Sequence, residues 1–175
     1  MTPTKKMSQE DKAIVESYLT ACFLITLIEN KFETSSHFDK LEFSNPSIKG
    51  AIKKMTLMNS GILMSILHCL LVVPRSLVRR EFEEEFQLLN DKLLSEVTII
   101  KRYDESSIDL LYHIRNSVAH ARFTVSHDGY NFQDKKRAKK KTKHFECFVP
   151  NHVINIVIGD LQEIFIAFYK RRTKS

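Results

Sequence analysis

The sequence predicts a mainly α domain, a bundle of about five helices with a small β-hairpin inserted between the fourth helix and the C-terminal one. Three observations point there. Apolar residues recur at three- and four-residue steps through most of the chain, the rhythm of helices that bury one face. That rhythm gives way to apolar–polar alternation around Asp128-Gly129, the rhythm of strands. A length of 175 residues with 43% apolar composition is enough for one core, so residues 1–175 are expected to form a single domain. No internal repeat or long linker divides the sequence.

The elements follow in order. Ser8 caps a long first helix, QEDKAIVESYLTACFLITLIENKF, whose early acidic residues suit the positive end of a helix dipole. Asn45, with Pro46 at the first helical position, opens a second helix whose pattern runs to Val73. Pro74 has no N–H to donate and its ring crowds the preceding turn, so it kinks or restarts the chain. SLVRREFEEEFQLLNDKLL continues as the third helix, with Glu81, Glu83, Glu84 and Glu85 on a solvated face. Asp104 or Ser107 caps a fourth helix ending near Ala121. RFTVSHDGYNFQD folds into the hairpin about Asp128-Gly129, and HFECFV is placed to add a third strand. Pro150 and Asn151 open the last helix, HVINIVIGDLQEIFIAFYKRR, which is apolar over most of its circumference and therefore expected to be largely buried.

Bulk properties narrow the function classes. Lys and Arg number 27 against 21 Asp and Glu, and a net charge of +6 with a pI near 9.2 favours an acidic partner such as nucleic acid. Cys22, Cys69 and Cys147 are odd in number, far apart and without a C-x-x-C pairing, which suits a reducing cytoplasm better than a disulfide framework or a zinc knuckle. The polar start MTPTKKMSQEDK lacks the features of a secretory signal. The most apolar window, residues 61–73, contains His68 and is shorter than the roughly 20 residues needed to cross a bilayer, so it reads as a core helix and no membrane is expected. With four glycines there is no Walker loop, nucleophile elbow or dinucleotide fingerprint. His144, Cys147 and His152 do not make a metal site, because residues three apart on a strand face opposite sides. No cofactor or metal is expected.

The fourth helix carries the chemistry, in LYHIRNSVAHARF at residues 111–123. At about 100° per residue, Leu110, Leu111, Ile114, Val118 and Ala121 form an apolar stripe, while His113, Asn116 and His120 fall together on the opposite face. Arg115 lies at the edge of the stripe, about 140° around the axis from His120. By composition alone this is also what a solvated helix face looks like. A straight helix does not bring Arg115 and His120 together, but two such helices packed about a two-fold axis would, and the geometry therefore favours a dimer. Histidine, with an ordinary pKa near 6.5, can exchange a proton, and arginine can clamp phosphate oxygens with charge-assisted bonds. Together these fit metal-independent RNA cleavage, in which the 2′-hydroxyl attacks the adjoining phosphate.

RNSVAH matches the R-x4-6-H signature of the HEPN superfamily, with the frequent Asn directly after the Arg, and ARFTVSHDGYNFQD is similar to HEPN proteins first noted on bacterial plasmids, in which a short hairpin follows the motif helix. The specific resemblance covers roughly residues 108–134, and the flanking helices agree in layout. It implies a HEPN-like helical bundle that forms a homodimer through the motif helix and acts as a metal-independent endoribonuclease, as in toxin–antitoxin, abortive-infection or antiviral-defence systems. Carried over onto this sequence, Arg115 and His120 are the catalytic pair and Asn116 the supporting polar residue. His113 joins them from helical phase and not from the family motif. In HEPN toxins paired with a nucleotidyltransferase antitoxin the motif continues as H-x-Y. Here Arg122 stands at the Tyr position, so the resemblance does not extend to that pairing.

A second feature is DKKRAKKKTK, where Lys135, Lys136, Arg137, Lys139, Lys140, Lys141 and Lys143 carry more positive charge than the whole net +6. Read as a basic loop over residues 135–143, it would hold an RNA backbone without reading sequence, or serve only as a solubilising segment. Two rivals to the nuclease remain at this level. One is a non-catalytic HEPN module that binds RNA or scaffolds a partner, for instance an antitoxin or defence-system protein. The other is a DNA-associated helical protein, although no helix-turn-helix spacing supports it.

Overall fold

The structure, a computed structural model, describes residues 7–103, 107–137 and 142–173. Eight α-helices and four strands are present among them: α1 (Gln9–Glu29), α2 (Ser36–Asp39), α3 (Pro46–Met55), α4 (Ser60–Leu67), α5 (Arg75–Glu81), α6 (Glu83–Leu94), β1 (Thr98–Lys101), α7 (Leu110–Ala119), β2 (Phe123–Val125), β3 (Gly129–Arg137), β4 (Thr142–Pro150) and α8 (Asn151–Thr173). The mainly helical class is as expected from sequence. The helices are more numerous and the hairpin is part of a larger sheet.

One extra helix is the short α2, capped by Ser35, whose hydroxyl accepts from Phe38 N; the other two come from two breaks. The stretch from Pro46 to Val73 is not continuous, because Asn59 begins a new helix. Its side-chain oxygen accepts from the N–H groups of Gly61 and Ile62 while its amide donates to Thr56 O at 2.7 Å, and the two halves meet at 83°. α4 then runs into a π-helical turn, His68–Val72, before Pro74. The expected third helix breaks at Phe82, whose backbone leaves helical geometry (φ −132°, ψ 40°) as its ring goes into the core with the Arg171 guanidinium 4.2 Å above it.

The four strands form one antiparallel sheet in the order β1-β4-β3-β2. The hairpin expected about Asp128-Gly129 joins β2 to β3, pairing Phe123 with Phe132 and Val125 with Tyr130. Gly129 is needed there for close approach rather than for a left-handed turn, since a Cβ would sit 2.3 Å from Val149 O on β4. HFECFV supplies most of β4. β1 is an edge strand from the β-branched run Thr98-Ile99-Ile100, whose register slips between Ile99 and Lys101.

The sheet packs on the helices through one face. Tyr130, Phe132 and Asp134 of β3 and Phe145, Cys147 and Val149 of β4 are buried, and the apolar ones among them join Ile14, Leu67, Leu110, Ile114, Leu161 and Phe165 in one core. α8 is long and apolar enough to cross a membrane. Here Val153, Ile154, Val157, Leu161, Phe165 and Phe168 bury its inner face against α1, α6 and the sheet. Burial pushes the Cys147 thiol up to about 12.

Arg172 at the end of α8 closes the bundle, donating from Nε to Asp11 of α1 at 2.8 Å and from Nη2 to Glu81 of α5. The hydrogen bond from Arg172, reinforced by its charge, holds the Asp11 carboxyl below its usual value against the opposing effect of burial. A depressed folded-state value contributes stability above the unfolded carboxylate pKa of about 3.9, and that contribution is lost as pH falls through the lower folded value. Arg172→Ala is expected to lower the unfolding free energy by about 1–2 kcal/mol near neutrality, with the gap to the parent narrowing below about pH 4. Urea unfolding of both proteins across pH 3 to 7 measures this; a gap that does not change with pH would contradict it.

Candidate functional site

α7 is held at its entrance by α6 and α5. The Asn90 side chain of α6 accepts from Leu110 N at 2.7 Å and donates to Ile108 O at 3.0 Å. The helix cap is Asp109, rather than Asp104, which lies outside the described residues, or Ser107. Its carboxylate accepts from Tyr112 N at 3.0 Å and pairs with Arg79 Nη1 of α5 at 2.7 Å. Leu110, Leu111, Ile114 and Val118 face the helical core, the stripe expected from the 3.6-residue period.

The opposite face is solvated only at its C-terminal end, where His120 is exposed. Elsewhere β3 covers it, and His113, expected on an outer polar line, is only 2% exposed. Its ring stacks on Phe145 at 3.9 Å with 10° between planes, and Tyr103 and Tyr112 meet it edge-on. His113 is therefore a buried support and not an open proton-transfer group. The correction has a simple cause: helical phase tells which residues share a face, but not whether a sheet lies over it.

What makes this burial tolerable is Asp134 of β3. Its Oδ2 lies 2.9 Å from His113 Nδ1 and accepts from Asn116 Nδ2 at 3.0 Å. Asn116 Oδ1 in turn accepts from Arg115 Nη1 at 3.0 Å. A carboxylate only accepts and a guanidinium only donates, so the amide between them has one workable orientation. Half-buried Arg115 is thereby fixed at one end, while its Nε is buried and has no hydrogen-bond partner among the described residues.

His120 contrasts with this. It is the residue that terminates α7, exposed, with its backbone N–H donating to Asn116 O at 3.1 Å. Ala121 follows at φ +49° and turns the chain towards β2. Arg122 has work of its own: its Nη1 donates to Lys135 O at 2.8 Å and its carbonyl accepts from Gln133 N at 2.9 Å, so the residue at the Tyr position of the H-x-Y motif ties the end of α7 to β3.

The basic segment is not the loop expected over residues 135–143. β3 extends to Arg137 and β4 begins at Thr142, with Lys135 opposite His144, Lys136 opposite Lys143 and Arg137 opposite Thr142. Lys135 and Lys143 are exposed, and Lys143 Nζ lies 5.3 Å from the centre of the Tyr103 ring, the same ring that meets His113. For Lys136 and Arg137 only the strand placement is described, and Lys139, Lys140 and Lys141 lie outside the described residues. Burial, with Lys101 and Lys135 nearby, holds the His144 imidazole below its usual value against the pull of Glu146, so it adds little charge to this ribbon at neutral pH. Among the described residues no three His, Cys, Asp or Glu side chains cluster to hold a metal ion.

A family model described as HEPN pEK499 p136 matches residues 5–171. The chain belongs to this HEPN family. No curated protein and no solved structure matches it. In this HEPN chain Arg115 and His120 stand at the R-x4-H spacing, the first half-buried and anchored, the second exposed.

Asp134 is the site residue missed from sequence, and a signal for it existed. Tyr130, Phe132 and Asp134 alternate on one face of β3, so a carboxylate stands where the pattern calls for an apolar side chain. Asp134→Ala would strand the donors of His113 and Asn116, and is expected to destabilise the fold by about 2–4 kcal/mol. A urea midpoint within error of the parent would show that the network contributes little.

Proposed function

We propose that this HEPN protein is a metal-independent endoribonuclease that acts as a homodimer through α7. The observation that carries the reading is the polarised environment of the motif. Asp134, acting through Asn116, orients Arg115, whose Nε has no partner among the described residues, and five residues on, His120 stands exposed at the helix end. An oriented guanidinium suits a phosphate, and an exposed imidazole suits a proton that must come and go.

In the proposed reaction His120 takes the proton of a ribose 2′-hydroxyl as that oxygen bonds to phosphorus. The P–O5′ bond breaks, and the 5′ oxygen leaves with a proton returned by an imidazolium, giving a 2′,3′-cyclic phosphate and a 5′-hydroxyl. Arg115 balances the charge that builds on the phosphoryl oxygens. No water or metal is needed for bond exchange. Arg115 and His120 are about 7.5 Å apart along the helix axis and about 140° apart around it, so a second α7 across a two-fold axis is what would complete a cleft for both. A growth-arresting or antiviral effector, with or without a neutralising partner, is the setting this chemistry would serve.

RNA cleavage in excess EDTA is the expected outcome, falling at least about 100-fold in both Arg115→Ala and His120→Ala with the fold intact by circular dichroism. Activity that needs added metal, or that survives His120→Ala, would sink the assignment. Sedimentation at micromolar concentration should find a dimer; a monomer cleaving at full rate would contradict the composite site.

The exposed Lys135 and Lys143 give specific support to a second reading, a HEPN module that binds RNA without cutting it. The two readings share one expectation. Replacing both lysines with Gln should weaken RNA binding and reduce the logarithmic salt slope by up to about 0.7 for each phosphate no longer neutralised, while leaving any cleavage at saturating RNA unchanged. Unaltered affinity and slope in a filter-binding titration would remove the ribbon from the RNA path.

A further inference from the structure

Beside Arg115 lies a cavity of about 320 Å³ that the motif does not explain. Its walls are apolar: the π-helical turn contributes Leu70 and Leu71, α6 contributes the Phe86 ring and α7 contributes Leu111. Its polar lining residues, Arg79, Arg115 and Tyr112, all carry donors that suit an anion or a hydroxyl. No carboxylate lines it among the described residues. Arg79 is held in place by its 2.7 Å pair with Asp109, and the Nε of Arg115 is buried with no partner among the described residues.

We infer that this cavity seats the base of the nucleotide whose phosphate Arg115 holds. The lining suits a ligand with apolar faces and an anionic group at one edge. A nucleoside phosphate has both, with the base against Leu70, Leu71, Phe86 and Leu111 and the phosphate against the guanidiniums. The volume is at the lower end of the roughly 300–1,000 Å³ typical of ligand sites, which suits one nucleotide and not a longer chain. Tyr112, 38% exposed at the rim, offers a ring on which a neighbouring base can stack. The choice of ligand rests on the ribonuclease reading. Its consequence is that the protein would discriminate among bases at one position of its RNA, through a pocket and not through the basic strands.

The test is an NMR titration of the full chain with the four nucleoside 3′-monophosphates and, separately, inorganic phosphate. At least one nucleotide should bind about 10-fold or more tightly than phosphate, with nuclear Overhauser contacts from its base protons to the methyl groups of Leu70, Leu71 and Leu111. Arg115→Gln should weaken that nucleotide about 10-fold. Nucleotides that bind no better than phosphate, base contacts to other residues, or full affinity in Arg115→Gln would each overturn the proposal. The readout is independent of turnover. RNA cleavage without these base contacts would overturn the pocket alone, whereas base contacts without cleavage would overturn the nuclease alone.

Discussion

A carboxylate buried between a helix and a sheet governs this structure. Asp134 is 6% exposed, and an isolated charge in that position would be prohibitively costly, so the surroundings must supply donors. They come from one helix face, His113 and Asn116, one turn apart on α7. That requirement sets how β3 crosses α7: sliding the strand by one residue would turn Asp134 to the outer face and put Gln133 or Lys135 against the imidazole. The surrounding contacts agree with the same register. Phe145, opposite Asp134 on β4, is the ring on which His113 stacks, and Arg122 reaches Lys135 O from the end of α7.

The consequence for function is an asymmetry between the two motif residues. Arg115 gains a fixed direction because its partner amide is itself oriented by the carboxylate, so little side-chain freedom remains to be lost on meeting an anion. His120 lies past the last helical turn and past this network. Its backbone is defined by Asn116 O, while its ring is exposed. In the proposed nuclease, a clamp for a phosphate would profit from being held still and a proton carrier from access to solvent. Asn116 serves both ends, its side chain holding Arg115 and its carbonyl capping the turn that ends at His120.

Much of this was legible in the sequence, and the failures share a cause. The caps at Ser8 and Asn45, the α8 start at Asn151, the β2–β3 hairpin and the apolar stripe of α7 all depend on local chemistry, and all were readable. The breaks at Asn59 and Phe82 were not, because each local pattern is compatible with a continuing helix, and tertiary burial or a side-chain cap decided otherwise. β1 was hidden by its brevity: four residues at a sheet edge carry too little periodicity to stand out. At the site, Arg115, Asn116 and His120 stand out through the motif, whereas the burial of His113 and the role of Asp134 depend on a hydrogen bond between residues 21 apart, which no helical wheel represents.

The strand that carries Asp134 also carries positive charge. Extending β3 beyond Asp134 places Lys135, Lys136 and Arg137 in strand, and pairing with β4 sets Lys143 opposite Lys136. Lys143 sits over the Tyr103 ring, which also meets His113 edge-on. The carboxylate that orients Arg115 through Asn116 and the exposed Lys135 belong to one strand, so whatever aligns β3 with α7 also fixes where that lysine stands relative to the guanidinium.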